Sequence, residues 1–296
     1  MITFVYDTKA GKLDIAKHQT LAGERGLSPY VYHAVSVGDK LHVLTFPGKP
    51  PLYLGEEDLG SDFLDRHDED STVSLFRGQM RQWAWKSGPS PPPSPGNGYI
   101  QSYAVHPDGH TIFFSDNSST YLLDTKGGGD TSPQRGEWRL PFGGRAYYDR
   151  DLDSWIGIRT TDGTEGLRRT CQYLCSCDIP VALADGTMPP PTWKICKEEL
   201  SFLEPPPPKW SVRTLVHTGR TRFCLVETTP VPEPDGGRAS LCTCNNDGME
   251  VLLRVTMFRV KHGKNGELLV MPCRPGRTYL VPNYSADSEG IPAFWM

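Results

Sequence analysis

The residues with the strongest claim to chemistry are the cysteines, of which the chain has eight. Cys171, Cys175 and Cys177 lie close together, and Cys242 and Cys244 repeat the spacing of the last two. Thiolates at alternate strand positions point to one face of a sheet and could share a metal ion. An internal repeat, however, aligns these positions with large apolar residues in other units. We therefore expect reduced cysteines that fill the core and hold no metal.

A second candidate is Asp149-x-Asp151-x-Asp153, which has the opening spacing of a calcium-binding loop. Ser154 stands where such a loop needs a glycine, and the segment coincides with a predicted hairpin turn. We expect a solvated turn without a metal. The chain has no nucleophile elbow, phosphate-binding loop or zinc-protease motif, so we predict no catalytic residue and no cofactor.

The elements that must position these residues follow a hairpin pattern that recurs five times. One copy spans 34–43, and the same spacing without gaps reappears at 104–113, with Asp108-Gly109 at its turn. An Asp-Gly pair supplies the positive φ angles of a tight hairpin. Most copies are followed by further short strands. A self-similar unit of roughly 40–60 residues built from strands is typical of a β-propeller.

The predicted fold is therefore an all-β propeller of kelch-like four-stranded blades in a single domain, 1–296. It has five blades, with six as the alternative. Large Trp side chains at 138, 155 and 193 should pack between the blades. The complete blades lie at about 33–86, 102–142, 145–196 and 213–256, and a terminal blade combines 257–285 with 1–16, so that N- and C-terminal strands close the ring.

Composition excludes some classes of partner. The net charge of −4 implies no general attraction to nucleic acid or to an anionic membrane. No apolar stretch approaches the roughly 20 residues of a membrane helix. The first residues read as a strand without the features of a signal peptide, so we expect a cytoplasmic or nuclear protein. We also expect a monomer.

One block of residues resembles a known family. Its core is SYAVHPDGHTIFFS from Ser102, YLLDT from Tyr121 and EWRLPF from Glu137. It continues through RAYY from Arg145, LDSWIG from Leu152 and LCSCD from Leu174. The chain is similar over most of its length to domain of unknown function 1668, a plant family much expanded in grasses. The resemblance implies a propeller akin to kelch repeats and to the propellers of plant F-box proteins. It implies no catalytic residues.

We expect a non-catalytic protein-interaction module that presents loops from one face of the propeller to another protein. Its candidate loops are the Pro-rich runs 89–95, 189–191 and 205–208 and the acidic segment 56–70. The alternative is a binder of a small molecule or carbohydrate, or an enzyme, that uses the central channel. The predicted first strands line that channel and offer these side chains: Tyr32, His33, Tyr103, Tyr147 and His217.

Overall fold

The computed structural model describes a series of segments of the chain. They are residues 3–7, 12–16, 33–37, 40–44, 52–58, 81–87, 100–126, 135–162, 170–181, 187–200, 212–231 and 250–282. Within them the fold is all-β, and none of these segments contains a helix. This part of the fold prediction is confirmed.

The described strands number 19. In chain order they are β1 (Thr3–Asp7), β2 (Lys12–Ala16), β3 (His33–Val37), β4 (Lys40–Leu44), β5 (Leu52–Asp58), β6 (Arg81–Ser87), β7 (Ser102–Val105), β8 (Thr111–Ser115), β9 (Thr120–Asp124), β10 (Arg135–Gly136), β11 (Gly143–Asp149), β12 (Ser154–Asp162), β13 (Thr170–Cys177), β14 (Trp193–Glu199), β15 (Val212–Gly219), β16 (Arg222–Pro230), β17 (Glu250–His262), β18 (Leu268–Pro272) and β19 (Arg277–Pro282).

Four runs of four strands pair in sequence order, as a meander does: β3 to β6, β7 to β10, β11 to β14 and β15 to β18. Their turns carry the expected chemistry. Gly109 has a φ of +75°, and its N–H donates to the His106 carbonyl at 3.0 Å. The Asp108 carboxylate accepts the N–H groups of His110 and Thr111, so the tight hairpin is stabilised by its own side chain.

The second and third meanders join through their first strands. Residues 144–146 of β11 pair in parallel with 102–104 of β7, which makes one sheet of eight strands. The same residues of β11 leave their partner β12, where the register shifts between Gly143 and Tyr147. A bulge of this kind bends a strand and re-aims its side chains.

Successive sheets bury their faces against one another. Val35 and Val37 of β3 pack with one face of β7–β9, around Tyr103 and Ile112. The opposite face of β7–β9 packs against β12 and β13 around Trp155, which is fully buried and donates its indole N–H to the Val105 carbonyl at 2.8 Å. Trp155 thus packs between two units, as predicted for the large aromatic residues.

The other face of β12 and β13 covers the sheet β15–β18. This interface contains Ile156 and Leu174 on one side and Leu225, Phe223 and Phe258 on the other. The units β7–β10 and β11–β14 therefore bury apolar residues on both faces. This arrangement explains why their strands carry apolar residues at consecutive positions as well as alternate ones.

The C-terminal region differs from the predicted blade division. The expected boundary at 256–257 falls inside β17, whose first half pairs with β19 and whose second half pairs with β18. The strand β16 pairs with β17 directly, from Arg222↔Arg259 to Pro230↔Val251. The strand predicted at 241–244 lies outside the described residues. Within the described part of the chain, β1 and β2 pair with each other alone.

The prediction for one tryptophan is wrong. Trp193, expected between blades, is 44% exposed on the last strand of its meander. The Arg159 guanidinium lies 4.5 Å from the centroid of its ring and covers one face. An outer strand has one neighbour only, so a large side chain there reaches the rim of the interface and not its centre.

Candidate functional site

The predicted channel residues come together on three strands, β7, β11 and β15, which begin three of the units and which we call the inner strands. Tyr103 lies on β7, Tyr147 on β11 and His217 on β15. The rings of Tyr147 and His217 have centroids 6.3 Å apart. His33 lies on β3, but its side chain is not described. Tyr32 lies outside the described residues.

Arg145 joins this group and was missed by the sequence prediction. Its guanidinium carbon lies 4.5 Å from the centroid of the Tyr147 ring, a cation–π contact. It lies in the stretch that pairs with β7, directly opposite Tyr103. We call Tyr103, Arg145, Tyr147 and His217 the inner-strand cluster. The period of two along β11 could have revealed Arg145, since it shares a face with Tyr147.

Burial controls the ionisation of the two tyrosines. It raises the pKa of Tyr103 to about 12, with Arg145 acting in the opposite direction and Tyr147 adding to the rise. Burial likewise raises the pKa of Tyr147, against the lowering effect of Arg145. Both phenols therefore keep their protons at neutral pH and can act as hydrogen-bond donors.

The imidazole of His217 is held by Asp149, at the end of β11. His217 Nε2 lies 2.9 Å from Asp149 Oδ2. Because a carboxylate only accepts hydrogen bonds, this nitrogen carries the proton. Asp149 also accepts the backbone N–H of Thr221 at 2.6 Å on Oδ2, and those of Asp151 and Leu152 on Oδ1. Its carboxylate thus anchors two hairpin turns and orients one histidine.

The prediction of a solvated turn at 149–153 is wrong for its first residue. Asp149 is 1% exposed, whereas Asp151 and Asp153 face solvent. The alternation of side chains along β11 continues to its last residue, so Asp149 points inward and contacts the neighbouring hairpin. Within the described residues no group of three His, Cys, Asp or Glu side chains could hold a metal ion.

Two of the predicted core cysteines are confirmed as buried. Cys175 and Cys177 on β13 have no exposed surface, and both are free thiols. Burial raises the pKa of Cys175 to about 12, and burial together with Cys175 and Asp178 raises that of Cys177. Their thiols are protonated and poor nucleophiles. Cys242 and Cys244 lie outside the described residues.

A second buried carboxylate lies at the far end of β15. Glu227 on β16 is fully buried and bonds Arg213 of β15, with Nε to Oε1 at 3.0 Å. Arg213 also donates to Gln172 Oε1 at 3.2 Å, which links this sheet to β13. Arg254 lies opposite Glu227 on β17. Among the described residues, no hydrogen-bond partner reaches the buried Oε2 atom of Glu227, nor Arg254 Nε or Thr256 Oγ1.

Most of the loops predicted to bind a partner lie outside the described residues. Residues 56–58 of the acidic segment form the end of β5, and 189–191 are the described Pro-rich run. None of the described segments contains a helix long and apolar enough to cross a membrane.

Neither the curated proteins nor the solved structures include a significant match to this chain. A family model does match, described as a protein of unknown function (DUF1668), and it covers residues 1–279. That span includes the inner-strand cluster, the Asp149 anchor and the buried Glu227. On this match the chain belongs to the DUF1668 family.

Proposed function

We propose that this protein is a non-catalytic interaction module that binds another protein through the hairpin turns at one end of its sheets. These turns are 106–110, 150–153 and 218–221, which we call the turn end. The first two follow β7 and β11, strands that run parallel and therefore end on the same side. The third is bonded to Asp149, the last residue of β11. The observation that carries the proposal is this anchoring of separate turns at one end.

The turn end suits a protein contact because its loops are already ordered. Besides Gly109, the residues Asp153, Arg220 and Thr221 have positive φ angles, each in a tight turn. Preformed loops lose little conformational freedom on binding. The exposed side chains carry both signs of charge, at Asp108, Arg150, Asp151, Asp153 and Arg220. Such a surface offers orientation and specificity to a partner with the opposite pattern.

The proposed architecture behind the turn end is a closed kelch-like propeller. The meanders β7–β10, β11–β14 and β15–β18 pack face to face in chain order, and the first strands of the first two run side by side in parallel. In a ring of this kind, every inner strand would present its turn at the same face. Blade number and closure by the two ends of the chain belong to the proposal.

Affinity capture with charge-reversed variants tests the function. The purified protein, immobilised, is exposed to extract of its source organism beside the variant Arg150→Glu/Arg220→Glu. We expect a stoichiometric partner that the variant loses. The matched control is Lys194→Glu/Lys197→Glu, at two exposed positions of β14, which makes the same change in net charge and should retain the partner. A partner held equally by all three proteins would contradict binding at the turn end.

One observation favours the second candidate function, the binding of a small molecule at the inner strands. Arg145 is partly exposed and held against an aromatic ring. A guanidinium in that position is suited to ligand recognition, because its planar N–H fork is oriented before the ligand arrives.

A further inference from the structure

Arg145 is a charged group without an ion-pair partner in the part of the chain that the structure describes. Its guanidinium lies against the ring of Tyr147. The nearest acid along the strand, Asp149, already accepts three backbone N–H groups and the His217 imidazole. No described side chain therefore occupies the N–H fork of Arg145, which can bind an anion.

The groups around Arg145 add both apolar and polar contacts. Tyr103 is 5% exposed, while Tyr147 and His217 are partly exposed. The Tyr147 hydroxyl has no hydrogen-bond partner among the described residues, and burial raises its pKa, so it keeps its proton. His217 Nε2 is bonded to Asp149, which leaves Nδ1 for any further hydrogen bond.

The backbone explains why Arg145 holds this position. The register shift between Gly143 and Tyr147 takes the strand away from β12 and onto β7 at this point. Gly144 there has a φ of +65°, and its N–H donates to the Gln101 carbonyl at 2.8 Å. The bulge thus directs Arg145 toward the joint between two inner strands, and bulges commonly re-aim side chains at functional sites.

From this geometry we propose that the inner-strand cluster binds a small organic carboxylate, with its carboxylate paired to the Arg145 fork and its flat apolar part against the rings of Tyr147 and His217. A planar carboxylate matches the guanidinium in a bidentate pair, whereas a tetrahedral phosphate would gain nothing from the adjacent rings. Tyr147 donates a further hydrogen bond from its hydroxyl. The proposal deepens the second candidate function and does not depend on the protein contact at the turn end.

Benzoate is a suitable probe, and calorimetric titration of the full-length protein measures its binding. We expect saturable binding of benzoate, at least tenfold weaker binding of the neutral analogue benzamide, and weaker binding of inorganic phosphate. Arg145→Met should weaken benzoate binding by tenfold or more, because it keeps the apolar stem and removes the fork. Tyr147→Phe should weaken it severalfold. Arg145→Lys should restore part of the loss, since it returns the charge without the bidentate geometry.

The matched control is Arg259→Met, which removes the same charge from an exposed position of β17 outside both proposed sites and should bind benzoate as the unmodified protein does. The melting temperature checks that each variant is folded. If Arg145→Met is unfolded, Arg145→Lys replaces it as the test of the guanidinium fork. Equal binding of benzoate and benzamide, tighter binding of phosphate, full binding by Arg145→Met or absence of benzoate binding would each overturn the proposal. The assay contains no protein partner, so its failure leaves the turn-end proposal standing.

Discussion

Asp149 and Glu227 are both buried carboxylates, and they lie near opposite ends of β15, yet their surroundings differ. Asp149 accepts three backbone N–H groups and one imidazole N–H, so both of its oxygens are used. Glu227 uses Oε1 for Arg213 and leaves Oε2 buried without a partner. The first carboxylate bonds mostly to backbone, which cannot move away. The second depends on side chains from neighbouring strands.

Asp149 is therefore a structural anchor, whereas the buried charge of Glu227 makes a small net contribution to the free energy of folding. Backbone donors that saturate a carboxylate hold it in place, and the carboxylate in turn fixes the turns that donate to it. A buried ion pair gains Coulomb energy but loses the hydration of both ions, and the two effects often cancel. Burial raises the pKa of Glu227 even though Arg213 and Arg254 act to lower it. The desolvation of this side chain therefore outweighs its partners.

The largest effect should come from Asp149→Ala. The change leaves three backbone N–H groups and the His217 N–H without their acceptor, and two turns lose their link. We expect a loss of about 3–5 kcal/mol in the free energy of unfolding, measured by denaturant titration. The neighbouring exposed carboxylate gives the control, since Asp151→Ala should stay within about 0.5 kcal/mol of the unmodified protein. A loss below about 1 kcal/mol for Asp149→Ala would show that the anchor is dispensable.

Arg213→Met should have the next largest effect. It leaves Glu227 buried without its main partner, and we expect a loss of about 2–4 kcal/mol at pH 7, because protonation of the carboxyl limits the cost. The double variant Arg213→Met/Glu227→Met should recover most of this stability, since two apolar side chains replace a buried pair. The free energies of unfolding of the four proteins form a double-mutant cycle. An additive cycle would show that the two side chains do not interact.

Glu227→Gln tests the same carboxyl through its pH dependence. A carboxyl with a raised folded-state pKa binds its proton more tightly in the native protein than in the unfolded chain. The native state therefore loses stability as pH rises from the ordinary value of 4.5 through the folded value. The variant lacks this loss, so its stability relative to the unmodified protein should improve across that pH range. Thermal denaturation at a series of pH values measures the difference, and parallel curves would contradict the raised pKa.

Asp108 should show the opposite dependence of stability on pH, and it serves as the control for that experiment. Burial acts to raise its pKa, but hydrogen bonds from the His110 and Thr111 N–H groups and the Thr111 hydroxyl, together with His106, bring it well below the ordinary range. Its contribution is present above the unfolded-state pKa and is lost as pH falls through the folded value. Asp108→Asn should therefore reduce the difference in stability between neutral and acid pH, as measured in the same thermal series.

The smallest effect should come from Thr256→Val, near Glu227. The buried Thr256 hydroxyl has no hydrogen-bond partner in the described part of the chain, and valine has almost the same shape without the polar atom. We expect an unchanged or higher stability, by up to about 1 kcal/mol, in denaturant titration. Thr120→Val is the matched comparison. The buried Thr120 hydroxyl donates to the Trp138 carbonyl at 2.7 Å, so its removal should lower the stability. A similar loss in both variants would show that the Thr256 hydroxyl has a partner.

The sequence predicted the parts of the fold that depend on neighbouring residues. The hairpin at 104–113 follows from Asp108-Gly109 and alternation on either side, and the buried positions of Cys175 and Cys177 follow from the repeat. The repeat predicts Tyr103, Tyr147 and His217 on the first strands of their units, and they lie on β7, β11 and β15. These properties are local, since a turn and a period of two need only a few residues to be expressed.

The tertiary structure decided what depends on pairing between distant strands. The parallel contact of β7 and β11, the continuity of β17 through the expected blade boundary and the outward position of Trp193 have no local signal. Alternation along β11 indicates the face on which Arg145 and Asp149 lie, but it does not indicate their partners. Their surroundings are set by a bulge and by a turn that lies about 70 residues away along the chain. The sequence alone thus determined which strands and turns form, while strand pairing determined which partners the described charged groups have.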